Sequence, residues 1–162
     1  MFALFVAQTA LDAKVTDLKD GFVKVVTPAY SLEVPKGWEV SKETPFGQRE
    51  FDGPKGKMTA MTANAGPKPD WDQLYKTSMF FIMREKKGTA TPYKLGKTDQ
   101  GYNTCSFTIS DESGFADRRY VLLHSPKGPV LALSVKIPSK TEEKQLQAAF
   151  DRMVKTARFA SN

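Results

Sequence analysis

Apolar side chains recur at every second residue over much of the chain, a spacing that predicts strands with one buried and one wetted face. Residues 22–26 favour a strand, Pro28 interrupts it, and Tyr30, Leu32 and Val34 then alternate with Ser31 and Glu33. Pro35, Lys36 and Gly37 read as a turn, after which Trp38 and Val40 resume the alternation, so residues 30–40 are expected to form a hairpin. Residues 48–51 and 57–63 predict two further antiparallel strands on either side of the turn Asp52-Gly53-Pro54-Lys55-Gly56. Beyond Gly88 the period of two persists, broken by turns at Asp99-Gln100-Gly101, Asp111-Glu112-Ser113-Gly114 and Ser125-Pro126-Lys127-Gly128-Pro129. Cys105, Phe107 and Ile109 alternate with Ser106, Thr108 and Ser110; Leu131, Leu133, Val135 and Ile137 alternate with Ala132, Ser134 and Lys136. These segments predict a meander.

Two stretches switch to a helical period. After Gly66-Pro67-Lys68-Pro69, Asp70 is placed to cap a helix, Gln73 to complete a capping box, and Gly88 to take the left-handed position that ends it. Arg84, Lys86 and Lys87 suit the negative end of its dipole, and Trp71, Leu74, Tyr75, Ser78 and Ile82 form its expected inward stripe. A second helix follows Ser139 and Glu142, again in capping-box spacing, with Leu146, Ala149, Phe150, Met153, Val154 and Ala157 on one face. No internal repeat or low-complexity segment divides the chain. Strands, helix, meander, helix is the order of an α+β fold in which helices cover an antiparallel sheet.

The stretch Tyr30-Ser31-Leu32-Glu33-Val34-Pro35-Lys36-Gly37-Trp38 resembles the opening of the PsbP-like proteins, an apolar strand followed by Pro-x-Gly-Trp. The order of elements after it is similar too, down to Phe159 behind the last helix. The resemblance runs from Phe22 onward and implies a Mog/PsbP-type α/β/α sandwich, with a central twisted antiparallel sheet of about six strands flanked by helices. It implies one domain over residues 21–162, preceded by a tail at 1–20. That family includes a thylakoid-lumen subunit of the oxygen-evolving photosystem, a nuclear Ran-binding protein, bacterial envelope lipoproteins and accessory chaperones of secretion systems. The resemblance therefore implies a non-enzymatic protein-binding or accessory module of bacterial envelope type. Pro35, Gly37 and Trp38 are expected to mark a structural corner rather than a working site.

Composition narrows this picture in three ways. With 162 residues, 40% of them apolar, the chain can bury one sizeable core. Its charge of +6 is spread from Lys14 to Lys155 with acids between, which is a solvated surface with a weak preference for acidic partners rather than the basic stripe of a nucleic-acid binder. Cys105 is the single cysteine, so an intrachain disulfide and a thiolate metal cluster are both excluded. The apolar run at residues 2–7 resembles the end of a signal peptide without its basic start, and an ordinary N-terminus is the competing reading. The expected place is extracytoplasmic, in the periplasm, in the envelope or secreted, with the cytoplasm as the alternative. No segment reaches the ~18 apolar residues of a membrane span, so any envelope association is expected to be peripheral.

Candidate chemistry is sparse. His124 is the only histidine, and no Gly-x-Ser-x-Gly elbow accompanies Ser106, Ser110 or Ser125, so it is expected to be a strand-end histidine rather than a base. Gly53 to Lys57 lacks the spacing of a phosphate loop, with Met58 where a hydroxyl is needed. Asp111 with Glu112 belongs to a turn, and Glu142 with Glu143 to a first helical turn. No catalytic residue, metal site or cofactor is expected. The run Met79-Phe80-Phe81-Ile82-Met83 exceeds what an inward stripe requires. Met79, Phe80 and Met83 are candidate partner-binding residues if exposed, and core if another layer covers them. The expected partner is a protein; the alternative is a carrier whose same side chains hold a lipid or other apolar molecule between helix and sheet.

Overall fold

In the computed structural model, which describes residues 13–85 and 88–160, the alternating segments do form strands. In chain order the elements are β1 (Lys14–Asp17), β2 (Phe22–Val26), β3 (Tyr30–Pro35), β4 (Glu39–Val40), β5 (Gln48–Gly53), β6 (Gly56–Asn64), α1 (Trp71–Glu85), β7 (Thr89–Ala90), β8 (Lys94–Lys97), β9 (Asn103–Ser110), β10 (Arg118–His124), β11 (Pro129–Lys136), α2 (Lys140–Thr156) and β12 (Arg158–Phe159). The expected signal-peptide remnant and the side chains of Arg84, Lys86 and Lys87 lie outside the described residues.

The strands divide between two antiparallel sheets instead of the single sheet of about six strands that the resemblance implies. A 4-stranded sheet has the order β1-β2-β3-β12, and an 8-stranded sheet the order β4-β5-β6-β11-β10-β9-β7, with β8 also on β9. β7 and β8 occupy successive stretches of the same edge of β9, opposite Ser110 and Ser106 respectively. Lys14–Asp17, which the sequence reading counts with the tail, pairs along β2.

Residues 30–40 do not form a hairpin. β3 pairs with β2 along residues 31–35 and with β12 at Tyr30 and Ser31, while the chain beyond Pro35 leaves the small sheet and Val40 pairs with Phe51 in the large one. Gly37 makes the crossing at φ 85°, a conformation that side chains with a Cβ rarely adopt. Trp38 then lies so close over Gly53 that a Cβ there would sit 2.2 Å from its indole. The Pro-Lys-Gly-Trp stretch is thus the corner between two sheets.

Strand alternation sorts the core into two layers. From β10, Val121 and Leu123 point to one side, where they meet Leu131, Leu133 and Val135 of β11 and Leu146, Phe150 and Met153 of α2. The same cluster takes in Val23, Val25, Leu32 and Val34, so α2 and the small sheet together cover this face of the large one. On the opposite face Cys105, Phe107, Ile109, Leu122 and Val130 are buried under Trp71, Leu74, Tyr75, Met79 and Ile82 of α1. The result is three layers, helix, sheet, and helix with sheet.

Charged side chains reinforce this arrangement. Arg152 of α2 donates from Nε to Glu33 of β3 at 2.8 Å and from Nη2 to Asp20 at 2.6 Å, while its guanidinium lies 3.8 Å from the centre of the Phe22 ring. Arg49 of β5 is 2% exposed and donates to the Ser41 carbonyl, with Glu43 3.7 Å away. Tyr30, buried beside it, has its phenol pushed up to about 12 by burial, against the pull of the Arg49 charge.

Removing a side chain from the shared core should be costly: Phe150→Ala is expected to lower stability by about 3–5 kcal/mol in urea titration, with both sheets unfolding together. Because the Tyr30 phenol ionises near 10 when unfolded and near 12 when folded, its contribution is intact below pH 10 and is lost as pH rises toward 12. Unfolding followed across that window should show a decline in stability that Tyr30→Phe removes.

Candidate functional site

Rings hold helix α1 on the large sheet. Tyr75 meets Phe107 edge-on at 5.1 Å and Tyr93 at 5.2 Å, and its hydroxyl donates to the Thr91 carbonyl at 2.9 Å. Phe107 stacks on Tyr120 at 5.0 Å, and Trp71 stands edge-on to His124 at 5.9 Å. At the start of the helix Asp70 Oδ1 accepts from the Gln73 amide at 3.0 Å, so the expected cap forms. The capping box does not close, since Gln73 Nε2 donates onward to Thr77 Oγ1.

Gly88 stands immediately before β7. Its role is close approach: a Cβ there would lie 2.4 Å from the Ser110 carbonyl oxygen, so only glycine lets the chain leave α1 and enter β7 along the edge of β9.

Against this frame the three candidate residues separate. Met79 packs inward with Leu74, Tyr75 and Ile82 and belongs to the stripe, which is therefore wider than the sequence spacing indicates. Phe80 is 61% exposed and Met83 37%. Leu95 of β8, at 59%, was not legible as a candidate; its register opposite Cys105 puts it on the α1 face of the sheet at the open edge. A signal existed in Lys94-Leu95-Gly96-Lys97, where one large apolar residue stands between edge lysines.

The groups weighed for chemistry in the sequence take the following places in the structure. His124 is fully buried at the end of β10, and its Nε2 is 2.8 Å from the Gly66 carbonyl. Cys105 is buried, and burial pushes its thiol up to about 11, which leaves it protonated and unreactive near neutral pH. Gly53 and Gly56 are the ends of the β5–β6 hairpin. Asp111 Oδ1 accepts from the amides of Ser113 and Phe115, and Glu142 accepts from the Ser139 hydroxyl at 2.8 Å. Among the described residues no group of three or more His, Cys, Asp or Glu is placed to hold a metal ion, and no helix is long and apolar enough to cross a membrane. Two surface depressions, of about 350 and 570 Å³, are lined by polar, charged and small residues, including Lys144 and Gln147 in one and Ser110 and Asp111 in the other.

Cys105 is expected to resist an aromatic disulfide reagent at pH 8 in the folded protein and to react at once in denaturant. Gly88→Ala should lower stability by about 1–3 kcal/mol through the clash with Ser110, read by thermal unfolding.

No protein-family model matches this chain, and no curated protein matches it. Solved structures do. The cyanobacterial PsbP of Synechocystis superposes with a TM-score of 0.56 at 12% identity, covering 99% of each chain. The Ran-binding protein Mog1p of Saccharomyces cerevisiae superposes with a TM-score of 0.50 at 14% identity, over 91% of this chain and 95% of that one. With the two-sheet core, the Trp38 corner and the helix on each side of the large sheet, this chain has the PsbP/Mog1p-like fold.

Proposed function

We propose that this chain is a non-catalytic module that binds a protein partner through the outer face of α1, with Phe80 and Met83 as the contact residues and the β8 edge around Leu95 beside them. The observation that carries the reading is the 61% exposure of Phe80 on a helix whose opposite face is already committed to the sheet. A phenylalanine on that side lies outside the buried stripe, and aromatic and methionine side chains are what protein interfaces use as anchors. The placement of His124, Cys105, Asp111 and Glu142 in structural contacts supports a role without catalysis. A neighbour in fold that is named for binding Ran supports a protein as the partner class. The accompanying proposal of an extracytoplasmic place rests on the apolar run at residues 2–7 and is tested by cell fractionation of the natural protein.

Phe80→Ser and Met83→Ser are expected to change stability by no more than about 0.5 kcal/mol, as exposed substitutions do. Each should abolish recovery of a stoichiometric partner that the unaltered protein retains, whereas Phe46→Ser, at an 85% exposed residue elsewhere, should not. Loss of folding in Phe80→Ser, or equal recovery by all three variants, would remove the interface.

A further inference from the structure

The α1 face of the large sheet is only partly covered. The helix lies over the aromatic cluster of β9 and β10, and the half built by β5, β6 and the end of β11 carries polar side chains instead, with Glu50, Lys57, Thr59 and Ser134 half-exposed and Lys136 exposed. Across that half the register sets three cations side by side. Lys57 of β6 is directly opposite Lys136 of β11, and Lys136 is directly opposite Arg118 of β10. Arg118 in turn faces Ile109, which is buried under α1, so the row lies on the helix side of the sheet.

Like charges directly opposite one another in a sheet are destabilising. The sequence answers this at one end of the row only. Lys57 Nζ is 2.8 Å from Glu50 and 3.2 Å from Asp52, and these hydrogen bonds raise its pKa. Lys136 and Arg118 have no acidic partner among the described residues. The row therefore runs from a neutralised lysine to two adjacent cations that oppose each other without compensation. Beside them Thr59 and Ser134 share a 2.7 Å hydrogen bond, which adds two hydroxyls to the same open face.

We infer that Arg118 and Lys136 form a docking site for an acidic, extended segment of a partner protein, separate from the surface of α1. The complementarity lies in geometry as well as sign: a guanidinium fork and an ammonium that rise from directly opposite positions can hold one carboxylate between them or two carboxylates of one strand-like segment. The face is open, which suits a segment of chain lying across strands more than a small anion needing an enclosing pocket. The uncompensated repulsion is then what the free protein carries so that the bound one is neutralised.

A fluorescein-labelled hexaglutamate peptide, followed by anisotropy at low ionic strength, tests this. Saturable binding is expected, weakening as salt rises, and lost by about tenfold or more in the double variant Arg118→Gln/Lys136→Gln. The control Lys24→Gln/Lys155→Gln removes the same net charge from exposed positions and should bind as the unaltered protein does. Equal loss in both double variants would reduce the effect to net charge and overturn the site, as would absence of binding to the unaltered protein. Phosphatidylglycerol vesicles retained by the Arg118–Lys136 pair while the peptide is not would overturn a protein segment in favour of a lipid surface. Independently, Lys136→Glu places an acid between Lys57 and Arg118 and should raise Tm by roughly 2 °C while abolishing peptide binding. An unchanged or lowered Tm would contradict the uncompensated repulsion on which the site is argued.

Discussion

Leu146, Phe150 and Met153 of α2 share one buried cluster with Leu32 and Val34 of the small sheet and with Leu131 and Leu133 of the large one, and this common burial sets the positions of everything else. Each such side chain contributes about 1.5–3 kcal/mol when fully removed from water. A four-stranded sheet with one apolar face needs a second layer, and α2 supplies it to both sheets at once. The charged contacts act within that arrangement. Arg152 selects how α2 lies along β3, through Glu33 and Asp20, and Trp38 over Gly53 selects where the chain crosses from one sheet to the other.

With that layer in place the two faces of the large sheet acquire different characters. The face toward α2 is closed and wholly apolar at its centre, whereas the face toward α1 is closed over β9 and β10 and left polar over β5 and β6. Both surfaces proposed for a partner lie on the α1 side: the outer aspect of the helix with Phe80 and Met83, and the cation row. One is apolar and the other charged, so the two would be recognised by different chemistry.

The meander, both helices and their faces were legible because each rests on a local rule. Period-two alternation in Cys105, Phe107 and Ile109, turns at Gly101, Gly114 and Gly128, and the Asp70 cap all appear where the residues place them. What local rules do not carry is which strand lies beside which. Tyr30, Leu32 and Val34 announce a buried face, but that face is equally well satisfied by a hairpin with Trp38 and Val40 or by the small sheet that actually holds it. β1 and β12 are short and derive their structure from β2 and β3 rather than from their own sequence. The candidate site was legible in part. Phe80 and Met83 are exposed on a helix found from its periodicity, while Met79 is drawn into the core by the breadth of the sheet beneath it, and the row of Lys57, Lys136 and Arg118 exists only once the register is known.

β12 follows α2 directly and completes the edge of β3, whose strand begins at Tyr30. The small sheet therefore joins residues 14–35 to residues 158–159. During synthesis the β2–β3 hairpin emerges from the ribosome long before the helix that buries Val23, Val25 and Leu32, and it must wait with its apolar face uncovered for more than a hundred residues. Closure of this half of the molecule consequently waits until α2 has been made, an order that the topology alone imposes.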